Sequence, residues 1–259
     1  MKKITISKIF NKKNKTPITC LTAYSKITAQ IADKYCDIVL VGDSLGMVLH
    51  GMKSTKEVKI ETMILHAKTV KQFAKKSLVV VDMPYKTYTN KFIAYKNAKK
   101  IIKLSKCDAV KLEGGKKVTG IIKYLVSKDI SVMGHVGLLP QSSANFKYKG
   151  RDLIQKKRIL EDALAVSNSG VFAIVIECVV EDLAKMITNN VSVPTIGIGA
   201  SKHCDGQILV IDDMLGLTDS VPRFVKKYAN LKKIIEKSVK NYVKEVKIKK
   251  FPTNKNVYK

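Results

Sequence analysis

Six side chains in this sequence have the types and positions to do chemistry together: Asp43, Ser44, Asp82, Lys111, Glu113 and Glu177. Each lies at or near the C-terminal end of a short apolar run. Asp43 and Ser44 close DIVLVGDS (37–44), and Asp82 lies in SLVVVDMP (77–84). Lys111 and Glu113 lie in DAVKLEGG (108–115), and Glu177 in FAIVIECV (172–179). Runs this apolar read as parallel strands buried on both faces, which do not accept carboxylates by chance. An unpaired buried charge is costly, so acids at several strand ends call for a cation or for protons held among them.

Asp43 and Asp82 end the second and third runs. Neighbouring strands lie about 5 Å apart, so these end residues can meet. Two carboxylates at that distance share a proton or bind a cation, and oxygen-only ligands suit Mg²⁺, which keeps positions for water and substrate. The bland alternative is that each caps a helix or makes a loop salt bridge. Neither Met83-Pro84 nor Ser44-Leu45-Gly46 is expected to start a helix at once, which favours the metal. Lys111 and Glu113 are two apart and share a side of one strand. Lys111 can hold a substrate anion, and Glu113 can accept from metal-bound water; a private Lys–Glu ion pair is equally open. Glu177 ends a strand with no partner in sequence. A carboxylate in apolar surroundings holds a proton tightly enough to act as general base on a carbon acid beside a metal-polarised carbonyl. A structural acid paired with a lysine is the other reading. His135 either orients a ligand and moves protons or is a satisfied structural histidine. His50, His66 and His203 show no ligand spacing and are assigned nothing.

These residues need a scaffold that brings several strand ends together. Strand and helix patterns alternate along the chain. Strands are predicted over 17–24, 37–44, 77–84, 108–115, 130–138, 172–179, 193–200 and 207–215. Helices are predicted over 25–35, 61–75, 90–105, 116–127, 153–168 and 181–189, with 45–58 a loop and a long polar loop over 139–152. Eight such strands favour a closed (β/α)8 TIM barrel over an open sheet, with the polar ends at its C-terminal mouth. No G-x-G-x-x-G follows the first strand, which argues against a dinucleotide site. Residues 223–249 carry Phe224, Tyr228, Leu231, Ile234, Ile235, Val239 and Val243 mostly at helical steps. They read as a C-terminal helical extension whose stripe needs a partner, its own barrel or another subunit. The expectation is one domain over 1–259, with the barrel over about 17–222 and the extension over about 223–250.

Composition narrows the function class. With 259 residues, 46% hydrophobic, the chain can bury one large core. No apolar run approaches the roughly 20 residues of a membrane helix, and no signal-peptide core follows the basic N-terminus. A soluble, cytoplasmic protein with no membrane partner is expected. Five dispersed cysteines, with no C-x-x-C pair, read as reduced thiols. The net charge of +27 invites a nucleic-acid role, but only Arg151, Arg158 and Arg223 among the 48 basic residues are arginine, and the lysines are spread over most predicted helices. No specific nucleic-acid partner is expected. Residue types and spacing therefore reach a metal-assisted enolisation, lyase or aldol site on a barrel, and no particular substrate.

The strings VGDSLGMV, GMKST, VVDMP, VKLEGG, GHVGLLPQ, GRD, IECV, PTIGIGA, DGQILV and PRFVKKYA, in this order and spacing, resemble the ketopantoate hydroxymethyltransferase family from about Ile18 to Val243. The resemblance implies a barrel of the phosphoenolpyruvate/pyruvate type and a homo-oligomer, a decamer in well-known members. It implies Mg²⁺-dependent one-carbon transfer from 5,10-methylenetetrahydrofolate to the keto acid 3-methyl-2-oxobutanoate, giving 2-dehydropantoate for pantothenate synthesis. It implies that Asp43, Asp82 and Glu113 lie at the metal, that Asp43, Ser44, Asp82 and Lys111 contact substrate, and that Glu177 is the base. Ser25 departs from an acid usual in the family, Ser201 from a glycine, and the FPTNKNVYK ending from an acidic-histidine one. These departures bear on stability and assembly more than on chemistry. The rivals are a related Mg²⁺-dependent 2-keto acid lyase or aldolase and, from another class, a basic nucleic-acid-binding protein.

Overall fold

The computed structural model describes residues 3–143 and 147–258; residues 144–146 of the polar loop expected over 139–152 lie outside them. Two compact units emerge, Met1–Ile211 and Asp212–Lys259.

The first unit is an eight-stranded, all-parallel closed barrel, as the alternation predicts. In chain order, α1 (Ile6–Phe10) precedes β1 (Ile18–Thr22), α2 (Lys26–Tyr35), β2 (Ile38–Val41), α3 (Leu45–Val48), α4 (Ile60–Phe73), β3 (Leu78–Asp82) and α5 (Lys91–Ser105). There follow β4 (Ala109–Lys111), α6 (Thr119–Val126), β5 (Val132–Gly137), α7 (Leu153–Ser167), β6 (Ala173–Glu177), α8 (Glu181–Asn190), β7 (Thr195–Ile198) and β8 (Gly206–Leu209). β1 closes the ring on β8 through Ile18 opposite Gly206 and Leu21 opposite Leu209.

Period-two alternation explains both the core and the site. Ile18, Cys20, Ile38, Leu40, Leu78, Val80, Ala109, Met133, Ala173, Val175, Ile196 and Ile208 form one buried cluster inside the barrel. The intervening Val39, Val79, Val81, Val110, Val132, Ile174 and Ile176 are also buried, as strands sheathed by helices require. Continued by two residues, the inward phase of β3 reaches Asp82. That of β4 reaches Lys111 and then Glu113, that of β5 reaches His135, and that of β6 reaches Glu177. Below the cluster, α1 inserts Ile9, with Ile4 and Ile6 packed beside it.

Helix starts follow local chemistry. Ser25, the departure after Thr-Ala-Tyr, caps α2 in a capping box with Thr28, so serine performs the capping there. Asn90 accepts from the N–H groups of Phe92 and Ile93 at the start of α5, and Asp152 from that of Gln155 at the start of α7.

The basic N-terminal segment contains α1. The structure corrects three expectations. The stretch 45–58 is not all loop: α3 follows Ser44 directly, and Thr55–Glu57 forms a 3-10 turn capped by Ser54. The eighth strand ends at Leu209 rather than 215. Pairing with β1 ends there, the Ile211 N–H turns to the Thr22 hydroxyl at 3.0 Å, and Ile211–Met214 forms a helical turn, α9.

In the second unit, α10 spans Leu231–Lys247 rather than starting near 223, because Asn230 caps it through the Lys233 N–H and Pro222 initiates a turn instead. No residue of α10 is buried; Ile234, Ile235, Val239 and Tyr242 are each more than half exposed.

Candidate active site

All six residues singled out in the sequence stand at the C-terminal mouth of the barrel, and Asp43, Asp82 and Lys111 touch. Asp82 pairs in register with Lys111, so their side chains leave adjacent strands at one level. Lys111 Nζ donates to Asp82 Oδ1 at 2.7 Å. This excludes the private Lys111–Glu113 pair: the partner of Lys111 is Asp82. The Asp43 N–H donates to Asp82 Oδ2 at 3.1 Å, so the ends of the second and third strands do meet.

Asp43 arrives there against the strand phase. Ile38 and Leu40 point inward, so continued alternation would send residue 42 inward, and that residue is glycine. A Cβ on Gly42 would stand 3.0 Å from Ser44 Oγ and 3.5 Å from Asp82 Oδ2. The glycine leaves this space open, and the chain curls at the start of α3 to bring Asp43 over the mouth. Asp43 is therefore no helix cap even though a helix begins beside it. Ser44 Oγ lies 2.8 Å from the Tyr24 hydroxyl.

Glu113 is buried, and its Oε1 accepts from the Gln141 N–H at 2.9 Å. Its Oε2 lies 3.7 Å from His135 Nδ1, while His135 Nε2 lies 3.2 Å from Glu177 Oε2. His135 is 2% exposed, and neither ring nitrogen completes a hydrogen bond in this geometry. It is thus not a satisfied core histidine but a bridge between two acids. Cys178 turns aside at positive φ, and burial pushes its thiol up to about 12, which removes it as a nucleophile.

The electrostatics show a shortage of positive charge. Burial, reinforced by the charge of Asp82, raises Asp43 to about 7. Burial raises Glu113 to about 9, with Asp43 and Glu177 adding to it. For Lys111, burial pulls down, but Asp82 and Asp43 outweigh it and the net direction is up. Four carboxylates thus crowd one paired ammonium group. The donors are hard oxygens, which fits a divalent cation such as Mg²⁺. Among the described residues, no group of three or more His, Cys, Asp or Glu side chains is already gathered closely enough to hold a metal ion. An ion here would keep positions for water or substrate.

Sequence reasoning missed three residues of this mouth. Gln141 Nε2 donates to Asp43 Oδ2 at 2.7 Å and to the Met83 carbonyl at 3.0 Å, and its Oε1 accepts from the Tyr88 hydroxyl. Tyr24 reaches Ser44, and its carbonyl lies 2.8 Å from His66 Nδ1, which places a histidine left unassigned behind the site. Gln141 and Tyr24 stood within quoted motifs; nothing in a single sequence separates a buried glutamine that orients acids from a loop glutamine.

A closed parallel barrel with an acid-lined C-terminal mouth defines a class, and solved structures share the barrel. Phosphonopyruvate hydrolase in complex with oxalate and Mg²⁺ superposes with a TM-score of 0.60 at 10% identity, covering 93% of this chain and 88% of that one. The triclinic crystal form of 2,3-dimethylmalate lyase, a PEP mutase/isocitrate lyase superfamily member, gives 0.62 at 12% identity, covering 95% and 89%. At these identities the likeness concerns the fold. Sequence carries the rest: residues 3–254 match the ketopantoate hydroxymethyltransferase family profile. The 3-methyl-2-oxobutanoate hydroxymethyltransferase of Pelagibacter ubique (strain HTCC1062) is 56% identical, with 98% of each chain covered. That of Bartonella tribocorum is 47% identical, covering 100% of this chain and 97% of the relative. The chain belongs to the ketopantoate hydroxymethyltransferase family, and it is an enzyme. Among the described residues no helix is long and apolar enough to cross a membrane.

Proposed function

We propose that this enzyme transfers the methylene carbon of 5,10-methylenetetrahydrofolate to 3-methyl-2-oxobutanoate, with Asp43, Asp82 and Glu113 at a Mg²⁺ site and Glu177 as the base. The observation that carries the reading is the Asp43 backbone N–H bonded at 3.1 Å to the Asp82 carboxylate, which brings the two acids to the same rim as Glu177. A bound Mg²⁺ would draw electron density from the keto acid's carbonyl and so acidify the adjoining C–H.

This chain's residues supply the remainder. Lys111, kept charged by Asp82, and Ser44, held by Tyr24, bind the keto acid's anionic end. Glu177 removes the proton from the branched carbon, and His135, within 3.2 Å, orients that carboxylate. The carbon so exposed forms the new C–C bond to the folate's methylene carbon, whose two C–N bonds break. Water supplies the hydroxyl oxygen, and the proton taken from the keto acid and one from that water go to the two departing tetrahydrofolate nitrogens. The exposed apolar residues of α10, Ile234, Ile235, Val239, Tyr242, Val243 and Val246, support assembly of the enzyme as a homo-oligomer.

The test is exchange of the substrate's C3 proton in D₂O, followed by NMR without folate. Exchange is expected to require Mg²⁺ and to fall about 10²–10⁴-fold in Glu177→Gln. Metal-independent exchange, or an unimpaired Glu177→Gln, refutes the assigned roles. Added methylenetetrahydrofolate then separates a transferase, which forms 2-dehydropantoate, from a lyase, which does not.

A further inference from the structure

One buried residue outside the six touches two of the proposed ion-site acids at once, Asp43 through its side chain and Glu113 through its backbone N–H. Gln141 is 4% exposed. Its backbone N–H donates to Glu113 Oε1 at 2.9 Å, and its Nε2 donates to Asp43 Oδ2 at 2.7 Å and to the Met83 carbonyl at 3.0 Å. Its Oε1 accepts from the Tyr88 hydroxyl. The three side-chain contacts fix the amide's orientation. Reversed, the carbonyl oxygen would face a carboxylate and a backbone carbonyl, and three favourable contacts would be lost or become repulsive.

We propose that Gln141, locked by Tyr88, is a positioning residue for the divalent-ion site: it engages one oxygen of Asp43 and one of Glu113 and leaves the second oxygen of each for the ion and its water. This rests on the reading of Asp43 and Glu113 as ion-site residues. The chemistry favours an amide in this place. A lysine would also hold the two acids, but its charge would compete with a dication; a neutral N–H donor orients a carboxylate and leaves its charge available. The link also ties the loop after β5, which carries Gln141, to the end of β2 through its side chain and to the end of β4 through its backbone N–H, so three parts of the rim meet at one residue. Tyr88 contributes from the segment after β3 through its hydroxyl on the Gln141 carbonyl oxygen, which makes its effect indirect and smaller.

The test is Mn²⁺ binding to the full-length protein, with free Mn²⁺ counted by electron paramagnetic resonance, for native enzyme, Gln141→Leu, Tyr88→Phe and Asp43→Asn. Gln141→Leu is expected to weaken Mn²⁺ about 10–100-fold, and Tyr88→Phe at the lower end of that range. In the deuterium-exchange assay Gln141→Leu should raise the metal concentration needed for half-maximal rate by the same factor. Its rate at saturating metal should stay within a few-fold of native, a split that simple unfolding would not give. If Asp43→Asn abolishes Mn²⁺ binding while Gln141→Leu and Tyr88→Phe bind within twofold of native, the positioning role is wrong and the ion site stands. If native protein does not bind Mn²⁺, or Asp43→Asn binds it like native, the ion site itself is wrong and the positioning role falls with it. Should Gln141→Leu not fold, an unchanged Mn²⁺ affinity in Tyr88→Phe overturns the lock by itself.

Discussion

The two ends of the barrel treat the same residue type in opposite ways. At the closed end, Asp37, Asp108 and Asp205 stand just before β2, β4 and β8, and each is matched. Asp37 pairs with Lys12 at 2.7 Å and accepts from the Thr19 N–H. Asp108 pairs with Lys3 and Lys71 at 2.6 and 2.5 Å and accepts from the Val79 N–H. Asp205 pairs with Lys13 and accepts from the N–H groups of Asn14 and Thr195. For Asp108, burial pushes up, but the two lysines outweigh it and the net direction is down. At the mouth, burial and the neighbouring acids push Asp43 and Glu113 up, and the one ammonium of Lys111 does not offset them. In a chain with 48 basic residues, that shortage is a local arrangement and not a lack of lysine. Acids that hold the fold together are given cations by the protein; acids left without them are those that a ligand must satisfy.

The largest effect that separates the two ends is a pair of substitutions. Asp108→Ala removes two ion pairs and an N–H partner and leaves Lys71 half-buried and unpaired. It should cost about 2–4 kcal/mol in urea unfolding, with kcat and KM per folded molecule unchanged. Glu113→Gln removes one charge from a crowded group. Its unfolding midpoint without metal should stay level or rise, while deuterium exchange at fixed, limiting Mg²⁺ falls about 10–100-fold. If both lose stability and keep activity, the mouth acids are structural and the contrast between the ends is false.

The next effect concerns pH in chelator-treated protein. Asp43 and Glu113 bind protons more tightly folded than unfolded. The stability they confer is complete below the unfolded carboxylate range and is lost as pH rises through about 7 and then about 9. Asp108, shifted down, acts oppositely: its contribution is complete above that range and is lost as pH falls. The melting temperature without metal should therefore fall from about pH 6 to about pH 9. Asp43→Asn should flatten the lower part of that fall. Added Mg²⁺ should raise the melting temperature most at the alkaline end, where fewer protons compete for the acids. A Mg²⁺ effect independent of pH would place the ion elsewhere.

Much of this was legible because strand alternation carries it. Leu78-Val80-Asp82 and Ala109-Lys111-Glu113 each continue one inward phase from core to mouth, so apolar runs ending in acids were enough to locate five of the rim residues. Alternation failed where backbone curvature took over. Asp43 is out of phase, and only Gly42 and the turn into α3 bring it to Asp82. The IDDM segment had strand-like composition, but with β1 already exhausted as a partner it became a helical turn. Gln141, Tyr88 and Tyr24 were illegible as site residues because their roles depend on contacts between loops distant in sequence. The stripe of α10 was readable from its spacing, whereas its start at Leu231 depended on the Asn230 cap.

The smallest expected effect marks how little the closed end owes to function. Lys106 ends α5 in the left-handed region at φ 61°, with its N–H bonded to the Ile102 carbonyl and its side chain exposed. An L-residue with a Cβ is disfavoured there by about 1 kcal/mol, and glycine relieves this while losing more entropy on folding. Lys106→Gly should therefore raise the unfolding free energy by a few tenths of a kcal/mol, up to about 1 kcal/mol, in urea titration. It should leave Mn²⁺ affinity and deuterium exchange untouched. A strained position kept for function would likewise gain stability but would lose activity. Lys106→Gly thus asks whether strain at this end serves helix termination alone, since a change in exchange rate would show that the closed end is coupled to the mouth through the strands that join them.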